Sequence, residues 1–225
     1  MTDFEWLNCP RPDELYLDRF AQTPRPWRKL RLYACGCCRQ VWDSLMDPRS
    51  RDAVEVAERY ADGVAAEAEL DAAAEAALEA CDEIDARNPN SIESGAAHAA
   101  HLSIQAPSDV SHPVAWVMTR VYGYDDYAEA LNTNLAALAD LFRDVFDNPY
   151  RPGRPQLVWW TPKVKHLAQL IYEQQTFSRM SELASALEDA GCQDLEILAH
   201  CREERIHIKG CWVLDLLLGK GIQGR

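Results

Sequence analysis

KLRLYACGCCRQVWDSL, residues 29–45, decides the fold class of this chain. Its apolar side chains, Leu30, Tyr33, Ala34, Cys37, Cys38, Val41, Trp42 and Leu45, recur at steps of three and four. That spacing puts them on one stripe of an α-helix. Working outward, Asp47-Pro48 reads as an N-cap followed by proline at the first helical position. The helix it opens carries Val54, Ala57, Tyr60 and Ala61, and Gly63 is its natural stop. From Glu67 to about Arg87 an alanine- and glutamate-rich stretch holds Leu70, Ala74, Ala77, Cys81 and Ile84 in a narrow seam suited to one partner helix. Asn88-Pro89-Asn90 ends it, and residues 91–105 are weakly patterned.

The period returns from Asp125 to Asp147, where Leu131, Leu135, Leu138, Phe142 and Val145 face inward. A proline- and tryptophan-rich connection follows over residues 148–161. Thr161-Pro162 then caps a helix bearing Val164, Leu167, Ala168, Ile171 and Tyr172. Ser178 starts another that stops at Gly191, Asp194 caps a short one, and Cys211–Leu218 forms the last, ended by Gly219. Few stretches show the period-two alternation of a half-buried strand. The expectation is an all-α, multi-helix antiparallel bundle of roughly nine or ten helices. It is read as a single helical domain, 1–225, with sub-bundles 1–147 and 162–225 joined by the 148–161 connection. Leu30, Val41, Leu45, Val54, Leu138, Phe142, Leu167, Ile171, Leu183, Leu187, Leu198 and Leu214 are the expected core.

Composition narrows the function classes. A net charge of −13, from 23 basic and 36 acidic side chains, disfavours nucleic acid and anionic membrane as partners. No apolar run approaches the ~20 residues that span a bilayer. The opening MTDFEWLNCPRPDEL lacks the basic start and apolar core of a signal peptide, so the expected compartment is the cytoplasm and the eight cysteines are expected to be reduced. There is no phosphate loop, dinucleotide glycine fingerprint, nucleophile elbow or metalloprotease helix motif.

Two kinds of candidate site remain. Trp27, Arg28, Tyr150, Arg151, Arg154, Trp159 and Trp160 mix aromatic and guanidinium groups in loops, the chemistry that dominates protein–protein hot spots. The alternative is that the tryptophans pin those loops to the core. The second kind is soft ligands. Cys35 and Cys38 stand one helical turn apart, and Cys192, His200, Cys201, His207 and Cys211 crowd the tail. Structural zinc takes four N/S ligands, which the tail could supply alone as His200, Cys201, His207 and Cys211, while the set that would join both ends of the chain is Cys35, Cys38, His207 and Cys211. The irregular spacing favours small buried hydrophobes and a metal-free protein, with zinc as the alternative. Cys211 and His207, with Asp215 one turn on, also form a possible nucleophile pair that lacks an identified oxyanion hole.

KLRLYACGCCRQVW (29–42), RSRDAVEVAERYADG (49–63), DLFRDVFDNPYRP (140–152), LASALEDAGCQDLEILAHC (183–201) and HIKGCWVLDLLLGK (207–220) resemble an uncharacterised, planctomycete-type bacterial helical family. The resemblance covers both ends and leaves about 64–139 poorly matched. It assigns Cys35, Cys37, Cys38, Cys192, His207, Cys211 and Trp212 to the family pattern, leaves Cys201 variable, and implies no activity. The expected function is therefore a non-catalytic cytoplasmic protein-interaction module, an adaptor or regulatory subunit that binds a protein partner. The alternative is a zinc-stapled structural domain or a Cys/His-dependent enzyme.

Overall fold

The computed structural model describes residues 1–21, 25–105, 114–115, 118, 127–151 and 159–220. Among these the chain forms eleven α-helices and no strand, so it is an all-α multi-helix protein. Two compact units divide it: residues 8–142, and residues 143–225 together with 1–7. The division falls inside a helix, a few residues ahead of the connection that the proline content singles out.

Residues 8–142 hold α2 (Pro12–Phe20), α3 (Trp27–Arg39), α4 (Pro48–Ala61), α5 (Glu67–Arg87), α6 (Ile92–Gln105) and most of α7 (Tyr127–Val145). Asp47 caps α4 as its sequence demands, its carboxylate accepting from the Arg49 N–H at 2.9 Å. Gly63 ends α4 at φ +72°, a conformation that costs an L side chain and not glycine. Helices α3, α4, α5 and α6 pack on one another. The buried faces of α5 and α6 are rich in small residues: Ala73, Ala74, Ala77 and Ala80 on one, Ala96, Ala97, Ala99 and Ala100 on the other. That is why residues 91–105 look featureless in sequence yet are a full helix. Arg31 lies beneath Tyr60 and donates to the Ser103 and Ile104 carbonyls, closing the end of α6.

The stripe of residues 29–45 is interrupted. Helix α3 ends at Arg39, where Gln40 and Val41 donate to the Cys37 and Cys38 carbonyls, three residues back. The tightened turn passes into a 3₁₀ segment, Trp42–Ser44. Arg39 stacks on the Trp42 ring at 4.0 Å and forks onto buried Glu58 at 3.0 and 3.0 Å. Val41 and Leu45 still reach the core.

The second unit holds α1 (Asp3–Asn8) except its last residue, the end of α7, and α8 (Pro162–Gln174), α9 (Met180–Asp189), α10 (Leu195–Arg202) and α11 (Trp212–Leu218). Thr161 caps α8 and Asp194 caps α10, each through its side-chain oxygen. A 3₁₀ turn, Phe177–Arg179, precedes α9, so the regular helix starts two residues after Ser178. Helix α8 packs on α9 and α11, and α10 lies against both α9 and α11. Trp159, Ile171, Leu183, Leu187, Leu198 and Leu214 share one core. All twelve residues expected in the core are buried. Arg151 ties this unit's pieces together, pairing with Asp3 of α1 and, at 2.9 Å, with Glu196 of α10. No described helix is long and apolar enough to cross a membrane.

Candidate metal centre

Three stretches of the C-terminal unit converge on one point. Asp144 lies in the last turn of α7, on the face that buries Leu141 and Val145. His200 lies in the last turn of α10, and Cys211 stands at the N-cap of α11. Between them residues 204–208 run without regular structure and carry His207 inward. A turn from Ile208 to Cys211, with Gly210 at φ +89°, brings the cysteine back beside the histidine.

The four residues are buried, at 0% exposure for Asp144, 6% for His200, 7% for His207 and 0% for Cys211. One ligand atom from each lies within 4.8 Å of the other three. His207 Nδ1 is 2.6 Å and His200 Nε2 3.2 Å from Asp144 Oδ1. The Cys211 Sγ is 3.2 Å from His200 Nε2 and 4.0 Å from His207 Nδ1. The second carboxylate oxygen, Oδ2, accepts the Ile208 N–H at 3.0 Å. A tetrahedral zinc ion, about 2.0–2.3 Å from its N, O and S ligands, spaces those atoms roughly 3.3–3.6 Å apart. The observed separations, from 2.6 Å to under 4.8 Å, straddle that range, so side-chain shifts of up to about 1 Å close the tetrahedron. Two histidines, one carboxylate and one thiolate make a borderline-soft donor set, which suits zinc and excludes magnesium and calcium.

The electrostatics favour ionised Asp144. Burial alone would raise its carboxyl, but hydrogen bonds from His200 and His207 and the attraction of both rings hold it well below the usual carboxylate range. Burial lowers His200, against a pull upward from Asp144. Burial and the neighbouring Asp144 charge push the Cys211 thiol well up, opposed by the Leu214 and Val213 amides at the start of α11.

The arrangement of a catalytic triad does not fit this geometry. In a catalytic triad the acid holds the ring nitrogen remote from the nucleophile. Here Asp144 and Cys211 both face Nε2 of His200, and Nδ1 is taken by the Trp212 indole N–H at 3.0 Å. Asp215, one turn on from Cys211, is itself buried in α11. All eight cysteines are free and buried. Burial pushes Cys81 and Cys201 up to about 12 and raises Cys35, Cys37, Cys38 and Cys192 as well. Because the thiolate is the reactive form, a disulfide reagent at neutral pH is expected to modify the folded protein slowly and without selectivity. One cysteine reacting far ahead of the rest would restore the nucleophile reading.

The structure brings His207 and Cys211 together and completes the group with His200 and Asp144. Cys35 and Cys38 lie on α3 in the core of the other unit, where Cys35 Sγ faces the Val54 carbonyl at 3.6 Å and Cys38 is fully buried. Cys201 is buried but stands outside the group. Asp144 carries one usable signal in sequence: a charge beside Leu141 and Val145 on an apolar face needs a buried partner. Of the aromatic–arginine residues, Trp27, Tyr150 and Arg151 are exposed and Arg28 pairs with Asp62 at 2.9 Å. Trp159 is 2% exposed and belongs to the core, with Trp160 packed against it, so at these positions the rings pin the connection down. Arg154 lies outside the described residues. No family model matches the chain, and neither a curated protein nor a solved structure matches it.

Proposed function

We propose that the chain is a non-catalytic helical interaction module whose C-terminal unit is held together by one structural zinc ion on Asp144, His200, His207 and Cys211. The observation behind this reading is the burial of four ligating groups, drawn from separate stretches of chain, at one point. Burying charge without compensation is costly. One Zn²⁺ against the Asp144 carboxylate and the Cys211 thiolate leaves the site neutral. Four protein ligands would leave no open position, as in structural rather than catalytic zinc.

The interaction half of the reading is supported by the surface around Arg151. Its partners Asp3 and Glu196 are flanked by Phe4 and Leu195, 73% and 80% exposed, and Tyr150 is also exposed. Exposed aromatic and aliphatic side chains around an arginine suit a protein partner. Eight free thiols suit the reducing cytoplasm.

Elemental analysis of tag-free protein, grown with zinc and purified without chelator, tests the metal. About one zinc per chain is expected, falling to near zero in His200→Ala and in Cys211→Ser. A folded wild-type protein without a transition metal, whose melting temperature ignores added zinc, overturns the proposal.

A further inference from the structure

The Trp212 indole N–H points at Nδ1 of His200 from 3.0 Å, and the two rings meet edge to face with centroids 5.1 Å apart. An indole nitrogen only donates, so Nδ1 must present its lone pair. A neutral imidazole has one proton, which therefore sits on Nε2. There it faces two acceptors, Asp144 Oδ1 at 3.2 Å and Cys211 Sγ at 3.2 Å. The Trp212 bond thus fixes the tautomer in which the nitrogen nearest the cluster is protonated.

Zinc needs the opposite tautomer. A metal-bound histidine ligates through a bare nitrogen and ordinarily donates its other N–H to an acceptor. With Nε2 on the metal, the proton moves to Nδ1 and confronts the indole N–H, donor against donor across 3.0 Å. His207 meets no such obstacle. Its Nδ1 faces the cluster, and its buried Nε2 has no hydrogen-bond partner, free to take the displaced proton.

We propose that Trp212 is a positioning residue that holds His200 in its metal-excluding tautomer, so that zinc is bound only when the Trp212–His200 hydrogen bond is broken. This rests on the zinc reading above. The exchange balances: both histidine protons shift to the nitrogens remote from the metal, the Cys211 thiol proton passes to solvent, and four bonds to zinc form. Trp212 thereby makes the bond between α10 and α11 an alternative to the metal, weakening the site while leaving it selective for an ion that pulls hard enough.

The test compares zinc affinity, measured by competition with a chromogenic chelator, for wild type and Trp212→Phe, which keeps an aromatic ring and deletes the donor. The variant should bind zinc roughly 3- to 10-fold more tightly, the worth of one net hydrogen bond, although its metal-free form is less stable. A tryptophan that only packs would give equal or weaker binding in the variant, and that result overturns the proposal. Long-range ¹H–¹⁵N spectra of wild type supply a second reading should the variant fold poorly. One equivalent of zinc should move the His200 proton from Nε2 to Nδ1 and shift the Trp212 indole resonance. Zinc bound with both unchanged refutes the exchange while sparing the zinc reading; no zinc binding by either protein removes both.

Discussion

Replacing Asp144 with alanine is expected to cost the C-terminal unit about 2–6 kcal/mol, because two buried donors lose their acceptor at roughly 1–3 kcal/mol each. Three donors converge on this carboxylate: the Ile208 N–H and the ring nitrogens of His207 and His200. Without it the Ile208 N–H and His207 Nδ1 lose their acceptor, each unsatisfied buried group carrying its own desolvation cost, while His200 Nε2 keeps Cys211 Sγ at 3.2 Å. Native domains hold a margin of roughly 5–15 kcal/mol, so the loss is severe. Urea unfolding in excess chelator isolates this contribution. Repeating it with zinc measures the metal, because binding to the native form alone raises stability with ligand concentration. Wild type should gain strongly on zinc addition and the Asp144→Ala protein little. A variant that unfolds at the wild-type urea midpoint would show that the carboxylate organises nothing.

Acid is expected to unfold the same unit, starting nearer neutrality than carboxylates alone would set. In the metal-free protein the folded-state pKa of His200 lies below its ordinary 6.5, chiefly through burial. That of Asp144 lies below its ordinary 3.8, where hydrogen bonds from His200 and His207 outweigh burial. For both groups the unfolded chain binds more protons than the folded one between the two pKa values, so stability rises with pH across that window. Stability is complete above 6.5, declines through His200 as pH falls below that value, and declines further through Asp144 below 3.8. Urea midpoints in chelator across this range trace the curve. An increase in stability on acidification from neutrality would mean that the folded state holds His200 as an imidazolium.

Much of the fold was legible because its boundaries are written in residues with strong local preferences. Asp47-Pro48, Thr161-Pro162, Asp194 and Gly219 each mark a helix end that the structure keeps. Helix α6 was not legible, because Ser94, Ala96, Ala97, Ala99 and Ala100 bury too little apolar surface to raise a hydropathy signal, although they fit between close-packed neighbours. The break after Arg39 was hidden for the opposite reason: Val41 and Leu45 keep their apolar spacing across a 3₁₀ turn and still reach the core. Three of the four residues of the candidate site were visible in the tail, His200, His207 and Cys211. Asp144 lies more than fifty residues upstream, and only the folded chain makes it a neighbour. The thiols of Cys35 and Cys38 share a residue type with the tail but lie in the core of the other unit, outside the group at Asp144.

The anchoring of α1 has a consequence for the order in which the chain is made. Asp3 is bound by Asn148 and Arg151 at separations of 145 and 148 residues. Synthesis is vectorial, and domains fold as they emerge. Residues 8–142 therefore acquire their structure while α1 hangs free with Trp6, 1% exposed in the folded protein, uncovered, and α1 docks only after the ribosome has delivered residues 143–151. For that interval the nascent chain carries an unsheltered amphipathic segment ahead of a finished unit, the stage at which a holding chaperone has something to grip.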